Sequence, residues 1–152
     1  MKNIVDSKCL FFLLLVIPLA CSKTVNPPVD HSDLLECYQK ENWDTLKMSN
    51  ALLGEWKWEY VSCFWFPEEA NAEDSKGLTV EFKSDHTLLV KQNGVTTQTS
   101  AWIIRKGSDT FYELEVSPFV AQLRGQIISC APWLEFYDSY VDGCDHFYSK
   151  VK

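Results

Sequence analysis

The stretch GEWKWEYVSCFWF, residues 54–66, alternates aromatic with charged side chains in its first half. Trp56, Trp58 and Tyr60 share one parity, and the residues between them are charged. Because successive side chains of a β-strand point to opposite faces, this alternation predicts a strand with one buried and one solvated face. The stretch therefore predicts an antiparallel sheet whose inner face is lined by aromatic rings.

Seven further strand patterns follow the first, and turn residues separate them. Asn93 and Gly94 form the strongest turn signal, because Asn-Gly suits a two-residue hairpin. Residues 33–50, before the first strand, have loosely helical spacing and predict a short helix or turns. The predicted strands cover residues 54–66, 78–83, 87–92, 95–106, 110–117, 125–129, 133–138 and 144–151.

Eight consecutive strands with short connections predict an all-β fold. An eight-stranded antiparallel up-and-down barrel removes the unpaired edges of the sheet by closing it. We therefore expect such a barrel, with its apolar face inside and a short N-terminal helix before it. A two-sheet sandwich would show the same alternation and is the alternative.

The first 20 residues have the pattern of a secretory signal peptide. Lys2 and Lys8 give a positive segment before an apolar run at residues 10–20. The run is too short for a membrane span, which needs roughly 20 residues. The run ends in PLAC, which resembles the lipobox of bacterial lipoproteins and departs from it at Pro18. Ordinary signal-peptidase cleavage is the alternative. The resemblance implies a signal peptide at 1–20. The polar segment with two prolines at 21–32 is then a lipidated tether, and the strand pattern makes 33–152 the barrel domain.

The same resemblance implies a location for the protein. Cleavage before Cys21 and acylation of its thiol, with palmitate-type chains, would tether a soluble domain to a membrane. Ser22, directly after the cysteine, agrees with sorting to the outer membrane. The expected location is therefore the bacterial cell envelope, at the outer membrane.

Four cysteines remain once Cys9 and Cys21 are assigned to the leader and the lipid anchor. In an oxidising envelope an even number of cysteines predicts disulfides, here two bonds with three possible connectivities. A zinc site would need ligands paired at short spacing, which this sequence does not supply. The four cysteines predicted to form disulfides are Cys37, Cys63, Cys130 and Cys144.

The charged residues and histidines give no catalytic pattern. The net charge of −7 argues against nucleic acid, which requires clustered Lys and Arg. Phosphate loops, nucleophile elbows and metal-spaced His pairs are absent from the sequence, so we expect no enzyme, no cofactor and no metal. Residues 138–146 are acidic but lack the ligand order of a calcium loop, and we expect a solvated turn there.

Several segments together resemble a known family. LLGEWKWEY (52–60), VEFKSDHTLLVKQNG (80–94), AWII (101–104) and HFYSKVK (146–152) are similar to motifs of small lipocalin-like lipoproteins of the Bacteroidetes type. The resemblance implies a Gly54-x-Trp56 motif whose tryptophan closes the barrel base. It also implies that a basic residue of the last strand, here Lys150 where the family usually has Arg, stacks on that ring.

An up-and-down barrel of this kind narrows the disulfide connectivity. Closure pairs the first strand antiparallel with the last, which brings Cys63 near Cys144. The sixth strand ends where the N-terminal segment arrives, which brings Cys37 near Cys130. Since a disulfide needs Cα atoms within about 7 Å, we expect the bonds Cys63–Cys144 and Cys37–Cys130.

The end of the first strand supplies the candidate binding residues. Consecutive Phe64, Trp65 and Phe66 cannot all face inward, so at least one should lie at the barrel mouth, where exposed apolar clusters mark interaction sites. Tyr60 joins them as a ring on the predicted inner face. We expect non-covalent binding of a small hydrophobic or amphipathic ligand in the upper barrel. The alternative is a protein-interaction module, an inhibitor or accessory subunit of an envelope complex, that uses the barrel rim.

Overall fold

Eight antiparallel β-strands close into a barrel in the computed structural model, which describes residues 29–64, 75–107 and 110–151. The strands are β1 (Gly54–Cys63), β2 (Leu78–Phe82), β3 (Thr87–Gln92), β4 (Val95–Lys106), β5 (Tyr112–Ser117), β6 (Gln126–Cys130), β7 (Trp133–Tyr137) and β8 (Cys144–Lys150). Each strand pairs with its neighbours in sequence, and β1 pairs with β8. The predicted up-and-down barrel is confirmed, and the sandwich alternative is wrong because the sheet is continuous and closed.

Two short helices precede the barrel, α1 (His31–Gln39) and α2 (Thr45–Leu52). Each begins after an aspartate whose carboxylate accepts a hydrogen bond from a backbone N–H of the first turn, Asp30 at 2.9 Å and Asp44 at 2.7 Å. The predicted helical region at 33–50 is therefore two helices, and α1 begins within the segment predicted as tether. No helix of the described residues is long and apolar enough to cross a membrane.

The alternation of strand direction gives the barrel two distinct ends. We call the end at which β1, β3, β5 and β7 finish the upper end, and the opposite end the lower end. α2 leads directly into β1 and therefore lies at the lower end, where Met48 and Leu52 are buried. Short 3₁₀ turns at Ala121–Leu123 and Ser139–Val141 lie in the two described connections longer than a hairpin at the upper end.

Large side chains fill the barrel interior. Trp56 on β1 lies opposite Val80 on β2, and both are buried on the inner face. The ring of Trp102 meets that of Phe82 edge-on, with 5.3 Å between the ring centroids. The other inward side chains that are completely buried are Leu88, Ile127, Leu134, Phe136 and Tyr148. These residues occupy the space in which a barrel of eight strands could hold a small ligand.

The β5–β6 connection, residues 118–125, adds to this filling from the upper end. Val120 and Leu123 are buried with the core. The backbone oxygen of Pro118 accepts a hydrogen bond from Ser100 Oγ of β4 at 2.8 Å. The backbone oxygen of Gln122 accepts one from the hydroxyl of Tyr148 in β8 at 3.0 Å. The connection thus joins the inner faces of β4 and β8 and occupies the interior between them.

The outer faces of β6 and β7 are buried as well. Ile128 pairs with Glu135, which pairs with Phe147, and all three are buried on the face opposite to the interior. We call these three residues the outer row. The prediction of one buried and one solvated face is therefore wrong for these strands, because α1 packs over their outer face.

Helix α1 runs down the outer wall of the barrel from the upper towards the lower end. At its start, the ring of His31 stacks on Tyr137, the last residue of β7, with 4.3 Å between centroids. Near its end, Cys37 is bonded to Cys130, the last residue of β6. The chain therefore enters the described structure beside the upper half of the barrel.

Strand β1 does not keep the predicted alternation along its whole length. Its register with β8 shifts between Trp58 and Tyr60, as at a β-bulge. After the shift Val61 is buried, and Tyr60 pairs with Phe147 of the outer row. The predicted inward orientation of Tyr60 is therefore wrong, because one extra residue in β1 reverses the parity of its upper half.

Both predicted disulfides are confirmed. Cys63 and Cys144, at the upper ends of β1 and β8, have Cα atoms 4.4 Å apart. Cys37 and Cys130 have Cα atoms 5.9 Å apart and join α1 to the outer wall. Each bond closes a long loop, with sequence separations of 81 and 93 residues.

Removing the bond that holds α1 should destabilise the protein markedly. A Cys37→Ala/Cys130→Ala variant is expected to lose about 2–5 kcal/mol of unfolding free energy, because the 93-residue loop regains its freedom in the unfolded chain. Urea denaturation followed by circular dichroism measures the loss. An unchanged denaturation midpoint would contradict the disulfide, and non-reduced peptide mapping would then show two free thiols in the wild type.

Candidate functional site

The three residues of the predicted barrel-base motif lie together at the lower end. Lys150 pairs with Trp56, and its ammonium nitrogen lies 4.6 Å from the centre of the Trp56 ring. The same nitrogen donates hydrogen bonds to the backbone oxygens of Leu53, at 2.7 Å, and Ala51, at 3.3 Å. Gly54 has a φ of 106°, which favours glycine, and a Cβ there would touch the Lys150 side chain. The cluster joins the end of α2 to both strands of the closing seam.

The two candidate ligand-binding residues that the structure describes, Tyr60 and Phe64, do not line an interior pocket. Tyr60 lies on the outer wall, its ring stacked on Phe147 with 4.3 Å between centroids, and its hydroxyl donates a hydrogen bond to the backbone oxygen of Val29. Phe64, directly after β1, is 77% exposed at the upper end. Trp65 and Phe66 lie outside the described residues.

Large exposed apolar side chains concentrate at the upper end. We call five of them the upper rim: Phe64 (77% exposed), Val95 (68%), Phe119 (66%), Val141 (47%) and Tyr140 (45%). They come from the end of β1, the β3–β4 hairpin, the β5–β6 connection and the β7–β8 connection. Such a concentration is typical of a surface that contacts another apolar body. The sequence indicated only Phe64, because the others are single residues in separate turns.

An open cleft of about 330 Å³ lies at the lower end, between the end of α1 and the β4–β5 connection. Tyr38 stacks between Trp43 and Phe111, at 5.3 and 5.7 Å between centroids, and forms an aromatic wall. Burial raises the pKa of Tyr38 to about 12, so its hydroxyl stays protonated and donates to the backbone oxygen of Thr110 at 2.9 Å. The cleft is lined by Tyr38, Gln39, Glu41, Asn42, Trp43, Lys106, Thr110 and Tyr112.

The composition of the cleft suits an amphipathic molecule. Tyr112, which is buried, donates a hydrogen bond from its hydroxyl to the backbone oxygen of Trp43 at 3.1 Å, so the aromatic wall is fixed in place. The exposed side chains of Gln39, Asn42 and Lys106 supply amide groups and one ammonium at the opening. The volume lies at the small end of the range for ligand pockets, roughly 300–1,000 Å³. The sequence did not predict this cleft.

A histidine lies inside the barrel. His146 is opposite Val61 and Phe136, and its Nδ1 accepts a hydrogen bond from the indole N–H of Trp58 at 3.2 Å. Burial lowers the pKa of His146 to about 4, so the ring is neutral at neutral pH. This neutral ring is half-buried on the inner face and orients Trp58 through that hydrogen bond.

A carboxyl group is buried under α1. The side chain of Glu135 is completely buried in the outer row, and its Oε1 lies 2.9 Å from Nδ1 of His31. Its Oε2 has no hydrogen-bond partner in the described structure. Burial above all, then the negative charges of Asp145 and Asp30, raise the pKa of Glu135 to about 8. The carboxyl is therefore largely protonated at neutral pH and is hydrogen-bonded to the His31 ring.

The acidic segment at 138–146 is ordered by its own side chains. Asp145 accepts hydrogen bonds from the backbone N–H groups of Asp138 and Ser139, each at 2.8 Å, and from the Ser139 hydroxyl at 2.6 Å. Arg124 lies 3.2 Å from the Asp138 carboxylate. Across the described residues, no group of three or more His, Cys, Asp and Glu side chains could hold a metal ion.

Comparison of the chain with protein-family models, curated proteins and solved structures gives no match to any of them. Function therefore has to be inferred from the chemistry of the two ends of the barrel, since a barrel fold by itself does not specify an activity.

Replacement of the basic residue at the barrel base should weaken the fold. Lys150→Ala is expected to lower the free energy of unfolding by about 2 kcal/mol, because two carbonyl groups and the Trp56 ring lose their cationic partner. Lys57→Ala is the matched control, since Lys57 is exposed on the neighbouring strand and pairs with Glu59. Urea denaturation measures the free energy of unfolding of both variants. An equal decrease in the two would show that Lys150 contributes no more to stability than an exposed lysine does.

Glu135→Gln should change how stability depends on pH. The pKa of Glu135 is about 8 in the folded chain, above its ordinary value of 4.5. Protonation of this carboxyl therefore favours the folded state fully below pH 4.5, and this contribution to stability is lost as the pH rises through 8. The variant lacks this loss, and its stability relative to the wild type is expected to increase between pH 5 and pH 8. Glu115→Gln, at an exposed pair with Arg105, is the control. Parallel urea midpoints of Glu135→Gln and wild type across this range would refute the raised pKa.

Proposed function

We propose that the chain is a lipid-anchored, non-catalytic protein of the bacterial cell envelope that binds a small amphipathic molecule. The observation that carries this proposal is the combination of a filled barrel interior with an open aromatic cleft at the lower end. A ligand cannot enter the interior without displacing Trp56, Trp102 or the β5–β6 connection. The binding site expected in the upper barrel is therefore proposed at the lower cleft instead.

The anchor and the location are supported by the sequence. The charged and apolar segments of residues 1–20 and the PLAC sequence before Cys21 are typical of a lipoprotein leader. Two disulfides agree with an oxidising compartment. The resemblance to small lipocalin-like lipoproteins agrees with the barrel and with the contact of Lys150 with Trp56.

The lining of the cleft determines the class of ligand. An apolar or aromatic body would lie along the edges of Trp43 and Tyr112, because the faces of Trp43 already contact Tyr38 and Lys47. An anionic or hydrogen-bonding head would lie at Lys106 and Asn42. A molecule with both parts would satisfy the polar groups of the opening and shield the rings from water.

The fluorescent amphipathic anion 1-anilinonaphthalene-8-sulfonate tests this assignment. We expect it to bind the wild type with enhanced emission and to bind Lys106→Glu at least several-fold more weakly, because the substitution places a negative charge beside the sulfonate. Lys83→Glu, a charge reversal in the β2–β3 turn, is the matched control and should bind the probe as the wild type does. Equal affinity of wild type and Lys106→Glu would exclude the cleft as the site.

A further inference from the structure

The upper rim is an exposed apolar surface that the lower cleft does not explain. Its five side chains surround one end of the barrel, whereas the lower end exposes only Leu46 and Val151 among the large hydrophobic residues described. A solvated protein exposes single apolar residues without consequence, but five around one end form a surface. We infer that this end lies against the lipid bilayer to which the chain is anchored, an inference that rests on the lipid anchor in the proposed function.

The entry point of the N-terminal segment supports this orientation. The backbone oxygen of Val29 accepts a hydrogen bond from Tyr60, three residues before the upper end of β1, and His31 stacks on the last residue of β7. The disulfide at Cys37 then holds α1 against the wall, so the point at which the chain enters the structure is fixed relative to the barrel. The described chain thus begins beside the upper rim.

The distance between the anchor and Val29 is short. Cys21 precedes Val29 by eight residues, and a chain of this length spans at most ~28 Å even when fully extended. With the lipid chains of Cys21 in the bilayer, the tether meets the barrel wall nearer its upper end than its lower end. The short tether also keeps the local concentration of bilayer high, so weak apolar contacts at the rim suffice for binding.

Charge determines which bilayer the rim should contact. The chain has a net charge of −7, so electrostatic attraction to anionic lipid headgroups cannot drive the contact. The upper connections carry Lys76 and Arg124 against Asp138 and Asp142, and the sequence between β1 and β2 adds Glu68, Glu69, Glu73 and Asp74, so this acidic balance disfavours anionic headgroups. Two of the rim residues are aromatic Phe and a third is Tyr, side chains that suit the boundary between headgroups and acyl chains. The partner is therefore a zwitterionic bilayer surface.

A fluorophore on each end of the barrel tests the inference. The full chain, in its acylated form, is reconstituted in phosphatidylcholine vesicles with nitrobenzoxadiazole attached at Phe119→Cys or at Leu46→Cys. These positions are matched, since their side chains are 66% and 71% exposed at opposite ends. Lipids with a nitroxide on the acyl chain quench only fluorophores that reach the bilayer. We expect loss of emission at position 119 and none at position 46.

A second matched pair of labelled positions controls for local effects of either substitution. Tyr140→Cys at the upper end and Val151→Cys at the lower end are 45% and 42% exposed, and the same contrast is expected. Circular dichroism of each labelled chain shows that it is folded. Quenching at the lower positions, or equal quenching at both ends, overturns the orientation. Quenching at neither end overturns it too and would leave the upper rim for a protein partner.

The lipid anchor is measured separately. Mass spectrometry of the N-terminal peptide shows whether Cys21 carries acyl chains. A peptide without them overturns both the anchor in the proposed function and this inference. An acylated peptide with no quenching at the upper positions overturns the orientation alone, and probe binding in the lower cleft is unaffected by either result.

Discussion

The pairing of β1 with β8 is the interaction on which the rest of the structure depends. It closes the sheet and leaves no edge strand in the barrel. The same seam is fixed at both ends, by the Cys63–Cys144 bond at the upper end and by the contact of Lys150 with Trp56 at the lower end. A slip of one residue in this register would turn Trp56 and Trp58 out of the interior, so these contacts define which side chains form the core.

A closed barrel with a filled interior forces further apolar surface to the outside. The outer row is covered by α1, and Glu135 is buried with it. A buried ionised carboxylate would cost several kcal/mol, and the neutral form with His31 as partner reduces that cost. The Cys37–Cys130 bond and the buried side chain of Leu34 also hold α1 against the wall.

Much of this fold could be predicted because the alternation of apolar and charged residues is local. β2 buries Leu78, Val80 and Phe82 as its sequence indicates, and the Asn-Gly turn marks the β3–β4 hairpin. The bulge in β1 could not be predicted, since it depends on how β1 pairs with β8. The predicted face for the Tyr60 side chain was wrong for that reason. The burial of Glu135 also depends on a distant element, the helix that covers it.

The candidate site was harder to predict than the fold because its parts are distant in sequence. Residues 38–43 and 106–112 form the cleft only after α1 is docked on the barrel, and no pattern within either segment indicates the other. The barrel-base residues were predictable, since the last strand must meet the first and Trp56 has a fixed place in it. Contacts between paired strands can thus be predicted once the topology is known. Contacts between a helix and the sheet can be identified only from the tertiary structure.

The filled interior separates the upper rim from the lower end of the barrel. Tyr148 and the β5–β6 connection meet inside the barrel, so the described residues fill the interior between the upper rim and the lower end. A molecule bound in the cleft therefore cannot be delivered through the barrel to a bilayer at the rim. Under the two proposals above, the amphipathic molecule is bound at the end that faces away from the membrane. That arrangement fits capture or presentation of the ligand better than transfer through the barrel.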